Sequence, residues 1–152
     1  MLGGQIAAEL REMFPRIFRE HPLHLAWAYK YNSTLKGIGA HADPAAVNVN
    51  LWLTPDESNL SPGQGGGLVV YKVRPPDDWG VFKWNAYEDD SHIEQLLREN
   101  EWRNVTVPYK ANRVVIFNSD LLHLTDRFKF KKKFSDGRIN VTFLFGARNR
   151  KQ

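Results

Sequence analysis

His41-Ala42-Asp43 puts an imidazole and a carboxylate two residues apart. On extended backbone, residues i and i+2 project to the same side, so both side chains reach one metal ion. His123 follows in Asp120-Leu121-Leu122-His123-Leu124-Thr125, where a polar ring among leucines is destabilising if buried without a partner. Each fragment alone has an ordinary reading: a solvated His and Asp at a strand end, and a hydrogen-bonded core histidine. Together, two imidazoles and one carboxylate form the facial triad that holds iron(II) and leaves open coordination positions. The chain has no cysteine, which excludes disulfides, iron–sulfur clusters, thiolate zinc sites and cysteine nucleophiles, and leaves His, Asp and Glu as metal ligands.

Arg138 is the fourth residue with clear chemistry. It opens the segment Arg138 to Phe145, in which Ile139, Val141, Phe143 and Phe145 form one face and Arg138, Asn140, Thr142 and Leu144 the other. A guanidinium on an interior face keeps its charge and is costly without an anion. No acidic residue alternates with it on this strand, and a bound dicarboxylate would supply the missing anion through a bidentate pair.

The elements that carry these residues read mostly as strands. Leu25, Trp27, Tyr29 and Tyr31 alternate with His24, Ala26, Ala28 and Lys30, and Val47, Val49, Leu51 and Leu53 alternate with Asn48, Asn50 and Trp52. Thr54 to Gly67 is a long turn leading into the apolar run Leu68 to Tyr71. Further strands are predicted over Asn104 to Pro108, Arg113 to Phe117, Leu122 to Thr125 and Arg138 to Phe145. Ile6, Leu10, Met13, Phe14 and Ile17 predict a helix over Gly4 to Glu20 that Pro15 kinks or restarts. The capping-box pattern Ser91-His92-Ile93-Glu94 predicts one helix between Asp90 and Trp102. About seven short strands argue for a sandwich or barrel over a parallel sheet, and 152 residues suit one domain.

No cationic leader region opens the chain, and no run of about 18 apolar residues occurs, so a soluble, cytoplasmic protein is expected. Part of the +4 charge lies in Arg127 to Lys133 and in Arg148 to Lys151, read as a solvated loop and a frayed tail rather than a nucleic-acid footprint.

With the arginine downstream of His41, Asp43 and His123, the sequence resembles the 2-oxoglutarate and iron(II)-dependent oxygenases, nearest the prolyl-hydroxylase-like and phytanoyl-type members. The resemblance runs from about Leu25 to Phe145. Tyr29-Lys30-Tyr31 is similar to the tyrosine-bearing first core strand, Leu51 to Pro55 to the second strand and its exit turn, and Gly66-Gly67-Leu68 to the start of the third. Arg138-Ile139-Asn140 is similar to the Arg-x-Ser cosubstrate motif, with Asn in place of the hydroxyl residue.

The resemblance implies a mainly β fold, a double-stranded β-helix of jelly-roll, cupin-like type over about 23–147, with a supporting N-terminal helix over about 4–20. An insert over about 73–102 carries one helix and covers the site. It implies that His41, Asp43 and His123 hold iron(II), that 2-oxoglutarate chelates the metal and pairs with Arg138, and that O2 takes the last position. Asn140, Tyr31 and Asn48 are expected at the cosubstrate, and Tyr29, Asn50, Trp52 and Trp84 at the substrate. Trp79, Phe82, Trp84 and Tyr87 either form an apolar lid or pack the insert. The reaction implied is hydroxylation of an unactivated C–H bond in a small molecule or peptidyl side chain, with release of succinate and CO2. Two alternatives stay open. Arg138-Ile139-Asn140-Val141-Thr142 is also similar to the Arg-x-Asn-x-Thr motif of alkylated-base demethylases, although Leu144 stands where those enzymes have a second arginine. A non-catalytic cupin-like metal-binding or interaction protein is the other.

Overall fold

The computed structural model describes residues 2–32, 36–63, 65–85 and 90–148. Tyr87 and the basic tail beyond Arg148 lie outside them. The elements are α1 (Leu2–Met13), α2 (Pro15–Phe18), β1 (Leu23–Tyr31), β2 (Val47–Trp52), β3 (Leu68–Tyr71), α3 (Val81–Trp84), α4 (Ser91–Glu99), β4 (Asn104–Val107), β5 (Val114–Asn118), β6 (His123–Thr125) and β7 (Arg138–Phe145). Pro15 restarts the N-terminal helix at its first position, where its missing N–H has no partner to lose.

The fold is mainly β. One antiparallel sheet has the order β1-β7-β2-β5 and a second has β4-β3-β6; the two do not close on each other. Among its described residues the segment 73–102 carries two helices where the sequence predicts one. Asp90 already has near-helical dihedrals and occupies the cap position, with no capping bond from its own side chain, and Ser91 is the first helical residue, so the cap lies one position before the one the pattern predicts.

Strand alternation sorts the first sheet into an apolar and a polar face. Val47, Val49, Phe143 and Phe145 pack under Ala7, Leu10 and Phe18 of the helices, with Phe18 edge-on to Phe145 at 4.8 Å. The opposite face, between the sheets, carries Asn48, Asn50 and Trp52 of β2. Asn50 stands opposite Thr142, and Trp52 opposite Asn140. Thus one period-2 pattern buries the support helix and delivers a row of polar groups to the interior.

The basic stretch points its cations outward: Phe130 is buried, while Lys129 and 131–133 are exposed. Phe134 departs from this and is 86% exposed beneath the Lys30 ammonium. Arg148 is not part of a frayed tail. It pairs with Asp120 and lies over the Trp84 ring, because the loop before β6 presents a buried carboxylate to it. Among the described residues no helix is long and apolar enough to cross a membrane.

Candidate metal centre

The His41 segment adds to the edge of β6. His41 N–H donates to the His123 carbonyl at 3.0 Å, and His123 N–H to the His41 carbonyl at 2.8 Å. Ala42 N–H reaches the Trp84 carbonyl and Asp43 N–H the Ser119 carbonyl. Ala42 itself packs with Trp84, Ile93 and Leu122. The insert therefore buttresses the metal segment from behind, a packing role for Trp84 rather than a lid.

Both imidazoles are turned for ligation. His41 Nδ1 lies 2.8 Å from the Gly39 carbonyl and His123 Nδ1 2.9 Å from the Leu121 carbonyl. A carbonyl only accepts, so each Nδ1 carries the proton and each Nε2 keeps its lone pair, the arrangement that metal-ligating histidines use. The His41 Nε2 is 3.9 Å from Asp43 Oδ1, and the His123 Nε2 is 3.4 Å from Oδ2. One donor atom from each residue lies within 4.8 Å of the others. His41, Asp43 and His123 thus form a group that can bind a metal ion, and two nitrogens with one carboxylate oxygen suit a divalent transition metal.

The charges agree with that use. Burial, and then the charge of His123, pulls His41 down to about 4 against the pull of Asp43, so its ring is neutral near pH 7. Burial pushes the Asp43 carboxyl up, but it is held below its ordinary value by the imidazoles when they are protonated, His123 by hydrogen bond and charge and His41 by charge, and by the Asn48 amide, which donates to it at any pH.

Behind Asp43 runs a chain of donors with one direction. Asn140 Nδ2 donates to Thr142 Oγ1 at 2.9 Å, Thr142 Oγ1 to Asn50 Oδ1 at 3.5 Å, Asn50 Nδ2 to Asn48 Oδ1 at 2.6 Å, and Asn48 Nδ2 to Asp43 Oδ2 at 2.6 Å. Asn48 therefore serves the carboxylate directly. At the far end, Asn140 Oδ1 is buried without a partner.

Arg138 is 1% exposed and makes no ion pair among the described residues. Its Nε donates to the Gly66 carbonyl at 2.6 Å and one Nη to the Gly67 carbonyl at 3.4 Å, while Nη1 is buried without a partner. A side chain at Gly67 would collide with the Val107 carbonyl, so only glycine lets this loop supply its carbonyls. The rings of Tyr31, Trp52, Tyr109 and Phe128 surround the guanidinium at 5.3–5.9 Å. Burial lowers its pKa to about 10, and it remains a cation without a counter-charge.

A cavity of about 30 Å³ joins the triad to Asn48, Asn50, Asn140 and Thr142. An open cleft of about 530 Å³ lies beside it, and His41, Asp43, Trp27, Tyr29 and Ile38 line both. The inner space has room for only about one or two waters, so a larger ligand needs it to widen. Among its described residues the cleft carries Asp90 and no Lys or Arg.

Tyr29, Asn48, Asn50 and Asn140 are thus brought to the triad, and Tyr31 to Arg138. Trp52 and Trp84, expected at the substrate, are placed elsewhere. Trp52 is 0% exposed and stacked on Tyr109, and Trp84 is 2% exposed in the insert core; neither lines the cavity or the cleft. The trace of β2 turns Trp52 toward Arg138, one strand-repeat past Asn50. Trp27 and Ile38 were not expected at the site. The signal for Trp27 was its alternation with Tyr29; Ile38 sits in a glycine-flanked loop and had none. No protein-family model and no curated protein matches the sequence.

Proposed function

We propose that the protein is an iron(II)- and 2-oxoglutarate-dependent oxygenase with a double-stranded β-helix fold. The observation that carries the reading is the pairing of two sites: a triad with both Nε2 lone pairs free, and a buried arginine lacking an anion on the strand that also feeds the Asp43 hydrogen-bond chain. The strand orders β1-β7-β2-β5 and β4-β3-β6, with the His41 segment bridged to β6, support the fold assignment.

His41, Asp43 and His123 would hold the iron, and Arg138 would pair through Nη1 with the distal carboxylate of the cosubstrate. When bound, the metal and cosubstrate use O2 to place one oxygen atom on a C–H carbon and the other in succinate, with loss of CO2. The chain's own contribution is placement. Asn48 holds the carboxylate, Asn140 offers an acceptor to the occupant of the cavity, and Trp27, Tyr29 and Ile38 exclude water. A cleft whose described lining carries no Lys or Arg favours a neutral or basic small molecule or peptidyl side chain over a polyanion.

Anaerobic iron(II) plus 2-oxoglutarate should give the weak visible charge-transfer band of the chelate, and His41→Ala should abolish it. Wild-type protein that shows no band and forms no succinate would refute the reading; metal binding with neither would leave a non-catalytic metal protein.

A further inference from the structure

β1 ends the first sheet and, among the described residues, pairs only with β7. The Ile139 and Phe145 carbonyls accept from Leu53 and Ala46 on the β2 side, so odd-numbered residues of β7 turn their backbone groups to β2 and even-numbered ones to β1. The pairs Tyr31 with Arg138, Tyr29 with Asn140 and Trp27 with Thr142 then carry the β1 hydrogen bonds. Ala26, Ala28 and Lys30 are left pointing N–H and C=O away from the sheet, with no partner among the described residues.

This edge is long and greasy. Six of its nine residues are exposed, and all but His24 and Lys30 are apolar or aromatic. Leu25 is 54% and Tyr29 45% exposed. Natural sheets charge, bend or cover such an edge. Among the described residues the devices on this edge are Lys30 at one end and an irregularity between Leu23 and Leu25 at the other.

We infer that the free edge of β1 docks an extended peptide, added as a further antiparallel or parallel strand, and so delivers alternate peptide side chains into the cleft beside His41 and Asp43. A row of N–H and C=O groups at strand spacing is matched by another extended backbone rather than by a lipid or sugar. Residues opposite Leu25, Trp27 and Tyr29 stand on the face that lines the cleft, and those opposite Ala26 and Ala28 stand on the other. The cleft offers Leu25, Val81 and Leu144 together with Asp90, so the delivered side chains are apolar or cationic. Docking needs nothing from the metal; only the oxidation that follows it rests on the oxygenase reading.

The test is amide hydrogen exchange on the whole chain, without added iron or cosubstrate, in the presence of positional-scanning mixtures of acetylated, amidated heptapeptides. At least one mixture, enriched in apolar residues or lysine at alternate positions, should slow exchange across residues 24–30 more than tenfold. N-methylation of the selected peptide at every second residue should abolish the effect in one phase and spare it in the other. Ala28→Pro, which removes an N–H that the β7 ladder does not use, should also lose it; if that variant does not fold, the N-methyl pair decides. The inference is overturned if no mixture protects the strand, if neither methylation phase matters, if the edge is already protected without peptide, or if protection tracks protein concentration and so reports a second copy. Docking without succinate formation would sink the oxygenase reading alone, and succinate formation without docking would sink this one alone.

Discussion

His41 and His123 are locked together by two reciprocal backbone hydrogen bonds of 3.0 and 2.8 Å, with ring centroids 4.3 Å apart. The ligands come from distant parts of the sequence, yet their spacing is fixed by strand pairing before any metal arrives. Such a site loses little conformational entropy on binding, and the near-ultraviolet circular dichroism of the metal-free protein should change little when iron(II) is added anaerobically.

That lock has a weak point at Gly37. A Cβ there would lie 2.5 Å from Thr125 Cβ and 2.7 Å from its Cγ2, and Thr125 N–H donates to the Ile38 carbonyl at 3.0 Å. Gly37→Ala should push the segment leading to His41 off β6 and weaken iron(II) binding about tenfold or more, in line with losses at groups that orient ligands, with far-ultraviolet dichroism retained. An unchanged titration would mean that pairing with β6 does not set the ligand geometry.

Asn48 is fully buried and bonds both Asp43 and Asn50. Asn48→Ala leaves a carboxylate oxygen and an amide without partners, which costs about 1–3 kcal/mol per group, and should lower metal affinity roughly 10–100-fold. Asn48→Asp should be worse, because a second carboxylate beside Asp43 opposes its ionisation. Denaturant midpoints and anaerobic titration measure the two effects separately.

Much of this was legible from residue types. Alternation alone assigned the inner and outer faces of β1, β2 and β7, since a period of two sorts side chains whatever the partner strand is. Pro15 marked the helix break for a local reason, its missing N–H. Failures came where tertiary contact decides. Trp52 shares a face with Asn48 and Asn50, yet its depth along the strand puts it under Arg138. Arg148 looked like tail charge because Asp120, its partner, lies far away in sequence. The donor chain from Asn140 to Asp43 depends on the β2–β7 register, which no single strand reveals.

The metal-free protein should lose stability on mild acidification. His41 titrates near 4 when folded, against 6.5 for a free imidazole, so between those values the unfolded chain binds the extra proton and stability rises with pH. The contribution is complete above about 6.5 and drains as the pH falls to about 4. Asp43, also lowered, acts in a separate window: its contribution is present above 3.8 and is lost as the pH drops through its folded value. Urea midpoints measured from pH 7 to 4 should fall in wild type and flatten in His41→Asn. Equal slopes would place the acid sensitivity elsewhere.

Arg138 separates cosubstrate binding from metal binding. Its guanidinium is buried without a counter-ion, and removing an uncompensated buried charge offsets much of what is lost with the bonds to Gly66 and Gly67. Arg138→Met should therefore melt within a few degrees of wild type, or above it, and bind iron(II) as tightly, because the triad keeps all its ligands. What it should lose is the response to 2-oxoglutarate. At a hundredfold excess over its Kd, a ligand stabilises the folded state by about 2.7 kcal/mol, a shift readily seen in a thermal melt of wild type with metal present. In the Met variant that shift should vanish, and Arg138→Lys should recover part of it, since an ammonium keeps the charge but not the fork. A Met variant that still rises with 2-oxoglutarate would show that the anion binds elsewhere.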